Sequence, residues 1–206
     1  MAEKTYIKRP EKPEPCITLI GMAGSGKTTI GTALAAQLDY AFLDTDHLIE
    51  SAYGTCLQAV TDALSSEAFL DLEARFVSSL RVSRVVIATG GSVIYRDSAM
   101  QHLRSLGPVV CLDAPLEVIQ TRIAKNPNRG LVIAEGQTIA DLYRERYALY
   151  NRYADIHCDT QQSPAHCAQS IWKRAAPWWS FRPEPCPTGR KARASATPTG
   201  APRPCA

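Results

Sequence analysis

The sequence predicts an α/β fold, a three-layer sandwich with a central parallel sheet between helices. Short β-branched runs alternate with longer segments whose apolar residues recur at helical spacing. Most of these runs are bounded by Gly, Pro or Asp, and the segments between them are long enough for crossover helices. A glycine-rich turn follows the first run directly and opens a helical segment.

The elements follow in order. CITLIG, 16–21, reads as a first buried strand ending in glycine, and KTTIGTALAAQL, 27–38, as an amphipathic helix. YAFLDTD, 40–46, reads as a second strand, and 47–80 as helices interrupted at Tyr53-Gly54. RVVIATGG, 84–91, and PVVCLDA, 108–114, have the continuous apolar character of strands covered on both faces. A helix over 115–125, a longer one over 138–151, a short strand over 154–160 and a helix over 164–175 complete the pattern.

The domain is expected over 16–176. Residues 1–15, with three prolines and many charges, read as a flexible lead-in. Residues 177–206 hold seven of the fourteen prolines. They bury too little apolar surface to offset ordering entropy, so disorder is expected there. Trp178, Trp179 and Phe181 are the exception, expected to pack back on the body. The net charge of +3 belongs to this tail: it carries +4, leaving −1 on residues 1–176. A nucleic-acid partner is therefore not expected.

With 45% hydrophobic and 21% charged residues the composition is that of a globular protein. Neither a membrane span nor a secretory signal is seen, so a cytoplasmic monomer without membrane attachment is expected. Seven cysteines at 16, 56, 111, 158, 167, 186 and 205 form no CxxC pair. They read as reduced thiols, and no zinc site is expected.

Gly21-Met22-Ala23-Gly24-Ser25-Gly26-Lys27-Thr28 fits G-x-x-x-x-G-K-[ST] in the strand-to-helix setting that the phosphate-binding loop needs. Glycines let consecutive N–H groups turn inward around phosphate oxygens, and the helix that follows points its positive end at the same place. Gly21, Gly24, Ser25, Gly26, Lys27, Thr28 and Thr29 are therefore expected on ATP, with Lys27 at the β- and γ-phosphates and Thr28 on Mg²⁺. The chain has no room for motor or helicase domains and lacks N-K-x-D, which favours a small kinase.

The acceptor side is read from strand ends, which line the crevice of a parallel sheet. Asp44 and Asp46 in LDTD are placed on one side of the second strand by its alternation. Gly90 and Gly91 end the third strand, where bare backbone lets a ligand approach closely and supplies N–H donors. Arg122 and Arg129 flank KNPN in a polar stretch with the character of a mobile lid, 122–137. Arg146, Tyr150 and Ala154 recur every four residues, placing an arginine fork suited to a carboxylate on one helix face.

These residues together resemble the shikimate kinase family over roughly 16–176. The match runs in order through the P-loop, LDTD, F-x-x-x-E at 69–73, TGG at 89–91, Arg122 and Arg129, and R-x-x-x-Y-x-x-x-A at 146–154. The resemblance implies a P-loop kinase of the nucleoside-monophosphate-kinase-like fold, phosphorylating a hydroxyl of a small carboxylate metabolite. Asp46 would hold that hydroxyl, Asp44 would organise Mg²⁺, and Gly90 and Gly91 would line the substrate. Arg129 would steady the transferring phosphate, Arg122 would lie against adenine and Arg146 would bind the carboxylate.

The chain departs from the family pattern twice. Ser92 stands where a third glycine is expected, and Leu70 where F-R-x-x-E has its carboxylate-binding arginine, the usual partner of the glutamate at Glu73. A buried carboxylate without a partner tends to be matched or neutralised. Arg75 or Arg146 could compensate, the substrate could bring its own cation, or the site could only bind nucleotide. The second answer favours a hydroxy-amino acid, homoserine first, held by Glu73, Asp46 and Arg146. Shikimate, another hydroxylated acid such as gluconate, and a non-catalytic nucleotide-binding module are the alternatives.

Overall fold

The computed structural model describes residues 13–125 and 136–179. Five strands form one parallel sheet in the order β2-β3-β1-β4-β5. They are β1 (Ile17–Ile20), β2 (Ala41–Asp44), β3 (Val85–Ala88), β4 (Val109–Asp113) and β5 (Ile156–Asp159). Each β–x–β crossover is a helix, as parallel neighbours require. β1 and β3 are fully buried along their length, which explains their unbroken apolar sequence.

Two apolar layers cover the sheet. Ile17, Leu19, Val86, Val110 and Ile156 face α1 (Lys27–Leu38) and α8 (Pro164–Ala175), whose Leu34 and Ile171 are fully buried. Ile20, Ile87, Val109 and Cys111 face the other way, toward α4 (Ser66–Ser79), α5 (Asp97–Leu106) and α7 (Ile139–Tyr153). A third cluster around Ile49, Phe69 and Leu72 ties α2 (Thr45–Tyr53) and α3 (Leu57–Asp62) to α4. The last helix, α6 (Leu116–Ala124), precedes the stretch that lies outside the described residues.

Local signals set the boundaries. Gly54, in the left-handed region at φ 66°, closes α2, which is the interruption expected at Tyr53-Gly54. Ser65 caps α4, Ser163 caps α8 ahead of Pro164, and Thr138 forms a reciprocal capping box with Asp141 on α7. The structure adds α5, whose Ala99, Met100 and Leu103 are fully buried. It also moves one boundary: the second strand stops at Asp44, and Asp46 lies in the first turn of α2. Arg122 sits in the last turn of α6 rather than in a loop.

The lead-in is anchored before residue 16. Glu14 accepts from Arg84 Nη1 at 2.6 Å and from Tyr40 Oη at 2.9 Å. Trp179 closes the other end: it is 7% exposed, meets Trp172 edge to face at 5.1 Å and donates from Nε1 to the same Tyr40 oxygen at 3.0 Å. Trp178 is 40% exposed. Phe181, the remainder of the tail and most of the expected lid, including Arg129, fall outside the described residues. Among the described residues no helix is long and apolar enough to cross a membrane.

Candidate active site

A cleft of about 870 Å³ opens at the carboxyl ends of the strands. Its walls bring together Gly24, Gly26, Lys27, Thr28 and Thr29 with Asp44, Asp46, Gly90, Gly91, Ser92 and Arg146. Four segments distant in sequence thus meet where an open α/β sheet binds its ligands.

The loop after β1 is built as a phosphate cradle. Gly21, Gly24 and Gly26 have φ of 143°, 79° and 104°, backbone that side-chain-bearing residues rarely adopt. Gly26 caps α1 with no side chain, and the first turn holds no acid, so the helix N–H groups and dipole are left to an anion. Ser25 Oγ is buried and has no hydrogen-bond partner among the described residues, a donor aimed at something the protein alone does not supply. Lys27 folds over the loop, donating to the Gly21 and Met22 carbonyls at 2.7 and 2.9 Å. Burial pushes its ammonium down to about 8, against the pull of Asp46 and Asp44. A polyphosphate beside it would push it back up.

Thr28 and Asp44 meet at the exposed edge of this cradle, Oγ1 donating to Oδ2 at 3.1 Å. Two hard oxygens side by side fit a magnesium ion that keeps several waters and takes the rest of its ligands from phosphate. Asp44 does two jobs, because its other oxygen caps α2 by accepting from Asp46 N at 3.1 Å. Strand alternation does not place Asp46; this cap does. Loss of water, then the neighbouring Asp44, pushes the Asp46 carboxyl up to about 6.

Gly90 and Gly91 carry the opposite wall. A Cβ on Gly90 would collide with Glu73 Oε1 and come within 2.8 Å of Asp46 Oδ1. A Cβ on Gly91 would come within 3.0 Å of Arg146 Nη1. Close approach is what these glycines provide. The N–H of Gly90 is not offered to the cleft but donates to Thr45 Oγ1 at 3.2 Å. Arg146, 2% exposed, lies over the Tyr95 ring at 5.4 Å and donates to its hydroxyl at 3.3 Å. Tyr150, one turn on, donates to Gly91 O at 2.7 Å. Arg122 reaches back to the cradle, donating to Gly24 O at 3.0 Å.

The two departures from the family pattern converge on one side chain. Glu73 is 1% exposed, and its Oε2 accepts from Ser92 Oγ at 2.7 Å. Its Oε1 has no partner among the described residues. Loss of water first, then Asp46, pushes this carboxyl up to about 8, with Ser92, Arg146 and Lys27 pulling the other way. That shift favours the uncharged acid at neutral pH. Arg75 does not compensate for the lost arginine: it is exposed and absent from the cleft wall, where Lys27 and Arg146 are the lysine and arginine among the described residues. Leu70 is buried without lining the cleft, whereas Phe69 beside it does line it. Glu73 thus has a hydroxyl as its hydrogen-bond partner, while Arg146 and Lys27 act on it through their charge. In the sequence Ser92 reads only as a missing glycine; a hydroxyl there is the available signal for this partner.

A family model described as shikimate kinase matches residues 23–176. The chain is 35% identical over 161 residues to a shikimate kinase of Thermodesulfovibrio yellowstonii, covering 76% of this chain and 92% of that protein. It is 38% identical over 165 residues to one of Chromohalobacter salexigens, covering 78% and 91%. Among solved structures, a shikimate kinase from Acinetobacter baumannii in complex with shikimate superposes with a TM-score of 0.71 at 32% identity, covering 78% of this chain and 92% of the other. Homoserine finds no support among these relatives.

Proposed function

The chain belongs to the shikimate kinase family, and on that premise we propose that shikimate is its acceptor, phosphorylated on a hydroxyl at the expense of ATP. The enzyme class, an ATP-dependent phosphotransferase acting on an alcohol group, goes with the family. The observation that carries the choice of acceptor is the burial of Glu73, 1% exposed, which favours its uncharged acid. An arginine–glutamate pair contributes no net charge to a pocket. A leucine with an uncharged glutamic acid contributes none either. The substitution at residue 70 therefore preserves the charge balance that a carboxylate-bearing acceptor needs, and gives no reason to demand an ammonium.

Lys27 and the backbone N–H groups of the Gly21–Thr28 loop would hold the ATP phosphates. Thr28 and Asp44 would hold Mg²⁺, which when bound neutralises charge on those phosphates. Asp46 would orient the acceptor hydroxyl for in-line attack and take its proton; a carboxyl pushed up to about 6 is better matched to that task than an ordinary one. Arg146 would bind the substrate carboxylate, fixed by its contacts with Tyr95. Gly90 and Gly91 would let the ring approach the backbone, with Glu73 behind them. Arg129 is assigned to the transferring phosphoryl group and Arg122 to the nucleotide end on their sequence positions. The lost arginine at residue 70 would have given a charge-assisted contact of roughly 1.5–3 kcal/mol, so a higher KM for the acceptor than an arginine-bearing site would show is expected.

The test is the full chain with ATP and Mg²⁺, offered shikimate and homoserine separately, with ADP release followed and the product identified by mass. Release with shikimate and formation of its phosphate ester is the expected result. Turnover of homoserine with none of shikimate would overturn the proposal.

A further inference from the structure

We propose that Cys111, Asp113 and His157 form a binding site for a zinc-like divalent ion, separate from the magnesium position at Thr28 and Asp44. The three side chains share one face of the sheet for a reason set by its register. Cys111 and Asp113 are two apart on β4, and Cys111 pairs directly with His157 on parallel β5. Their donor atoms lie within 4.8 Å of one another. Cys111 Sγ is 3.3 Å from Asp113 Oδ1, and His157 Nδ1 is 2.8 Å from Asp113 Oδ2.

A thiolate, a carboxylate and an imidazole are the ligand types that zinc takes, at about 2.0–2.3 Å in a tetrahedron. Such bonds put neighbouring donors about 3.3–3.6 Å apart. The sulfur–oxygen spacing already meets this. The nitrogen–oxygen spacing must open by about half an ångström, which the His157 ring, 42% exposed, is free to do. Cys111 is 1% exposed and fixes the inner corner of the site. A small cavity of about 10 Å³ adjoins Cys111 and Asp113 beneath Tyr143, Tyr147 and Tyr150. That is room for about one water, the fourth ligand that three protein donors leave open.

Protons and charge balance. Binding releases the Cys111 thiol proton to solvent and leaves His157 as its Nε2–H tautomer, so that thiolate, carboxylate and neutral ring together carry −2 against the cation's +2. The site is also joined to the nucleotide end of the cleft. Asp113 O accepts from Thr160 N and Oγ1 at 2.9 and 3.0 Å, and Thr160 O accepts from Arg122, which holds the cradle at Gly24. An ion here would pin β4 to β5 where the sheet carries that arginine.

Cobalt(II) is the probe, because bound thiolate gives it a ligand-to-metal charge-transfer absorption that oxygen ligands at Thr28 and Asp44 do not. Titration of the reduced, metal-free full chain is expected to produce this band at one equivalent and to lose it when zinc is added. Cys111→Ser should abolish the band, and His157→Gln should weaken cobalt affinity at least roughly tenfold. An absent band in the wild-type chain overturns the proposal. So does a band that survives unchanged in Cys111→Ser, since another cysteine would then be the ligand. Should Cys111→Ser fail to fold, an unchanged affinity in His157→Gln is equally decisive against it.

Discussion

Glu73→Gln replaces a buried acid by the amide that has the shape of its protonated form. In the native protein this carboxyl is pushed up to about 8, against roughly 4.3 in the unfolded chain. Between those values the folded state binds the extra proton, so stability is fully present below the unfolded value and is lost as pH rises toward 8. At about 1.4 kcal/mol per unit, the loss between pH 5.5 and pH 8 is roughly 3 kcal/mol from this one residue. Asp46, pushed up to about 6, contributes a loss of the same sign at lower pH. It is present in both proteins and cancels in the comparison. Urea unfolding of wild type and variant across this range should give curves that diverge, the variant losing less stability as pH rises. The acceptor KM should follow: rising above pH 8 in wild type, as Glu73 ionises and repels a carboxylate, and flat in the variant. Parallel stability curves would refute the reasoning, because Glu73 would then be charged throughout and held by a cation.

Three further outcomes are expected. Leu70→Arg restores a guanidinium three residues from Glu73 on the same helix face; it should lower the shikimate KM about ten- to hundredfold, and an unchanged KM would mean that residue 70 cannot reach the acceptor. Ser92→Ala removes the hydroxyl that donates to Glu73 and should cost about 1–3 kcal/mol in urea unfolding at pH 7, with a loss under about 0.5 kcal/mol counting against the bond. Lys27→Ala should fold normally and lower kcat at least roughly a thousandfold, and full activity in it would overturn the cradle assignment.

The fold was legible because its signals are local. A strand ending in glycine, a P-loop and a helix-spaced run cannot easily mean anything else, and β1 and α1 follow from them. The short apolar runs of β3 and β4 are equally plain, being buried on both faces. Helix α5 went unread because its apolar residues, Ala99, Met100 and Leu103, are set among Asp97, Gln101, His102 and Arg104. Asp46 reads as part of the strand because LDTD carries two signals at once: strand alternation and an Asx cap. The cap won: the Asp44 side chain accepts from Asp46 N and satisfies one of the donors that a helix start leaves open. The pocket's polar lining was legible as residue types, but not as partners. Glu73 and Ser92 are 19 residues apart, and Cys111 and His157 are joined only by strand register. Spacing rules see neither.

The protonation state of Glu73 decides whether this cleft asks for a cation or accepts a carboxylate, and it can be read directly. Carbon-13 labelling of the glutamate side-chain carboxyls would let the Glu73 resonance be identified by its loss in Glu73→Gln and followed as pH is raised. A midpoint near 8 is predicted for the full chain without nucleotide. A midpoint at 4–5, as for an ordinary glutamate, would mean that the acid is charged at neutral pH, and the case for a leucine at 70 that leaves the acceptor unchanged would fall.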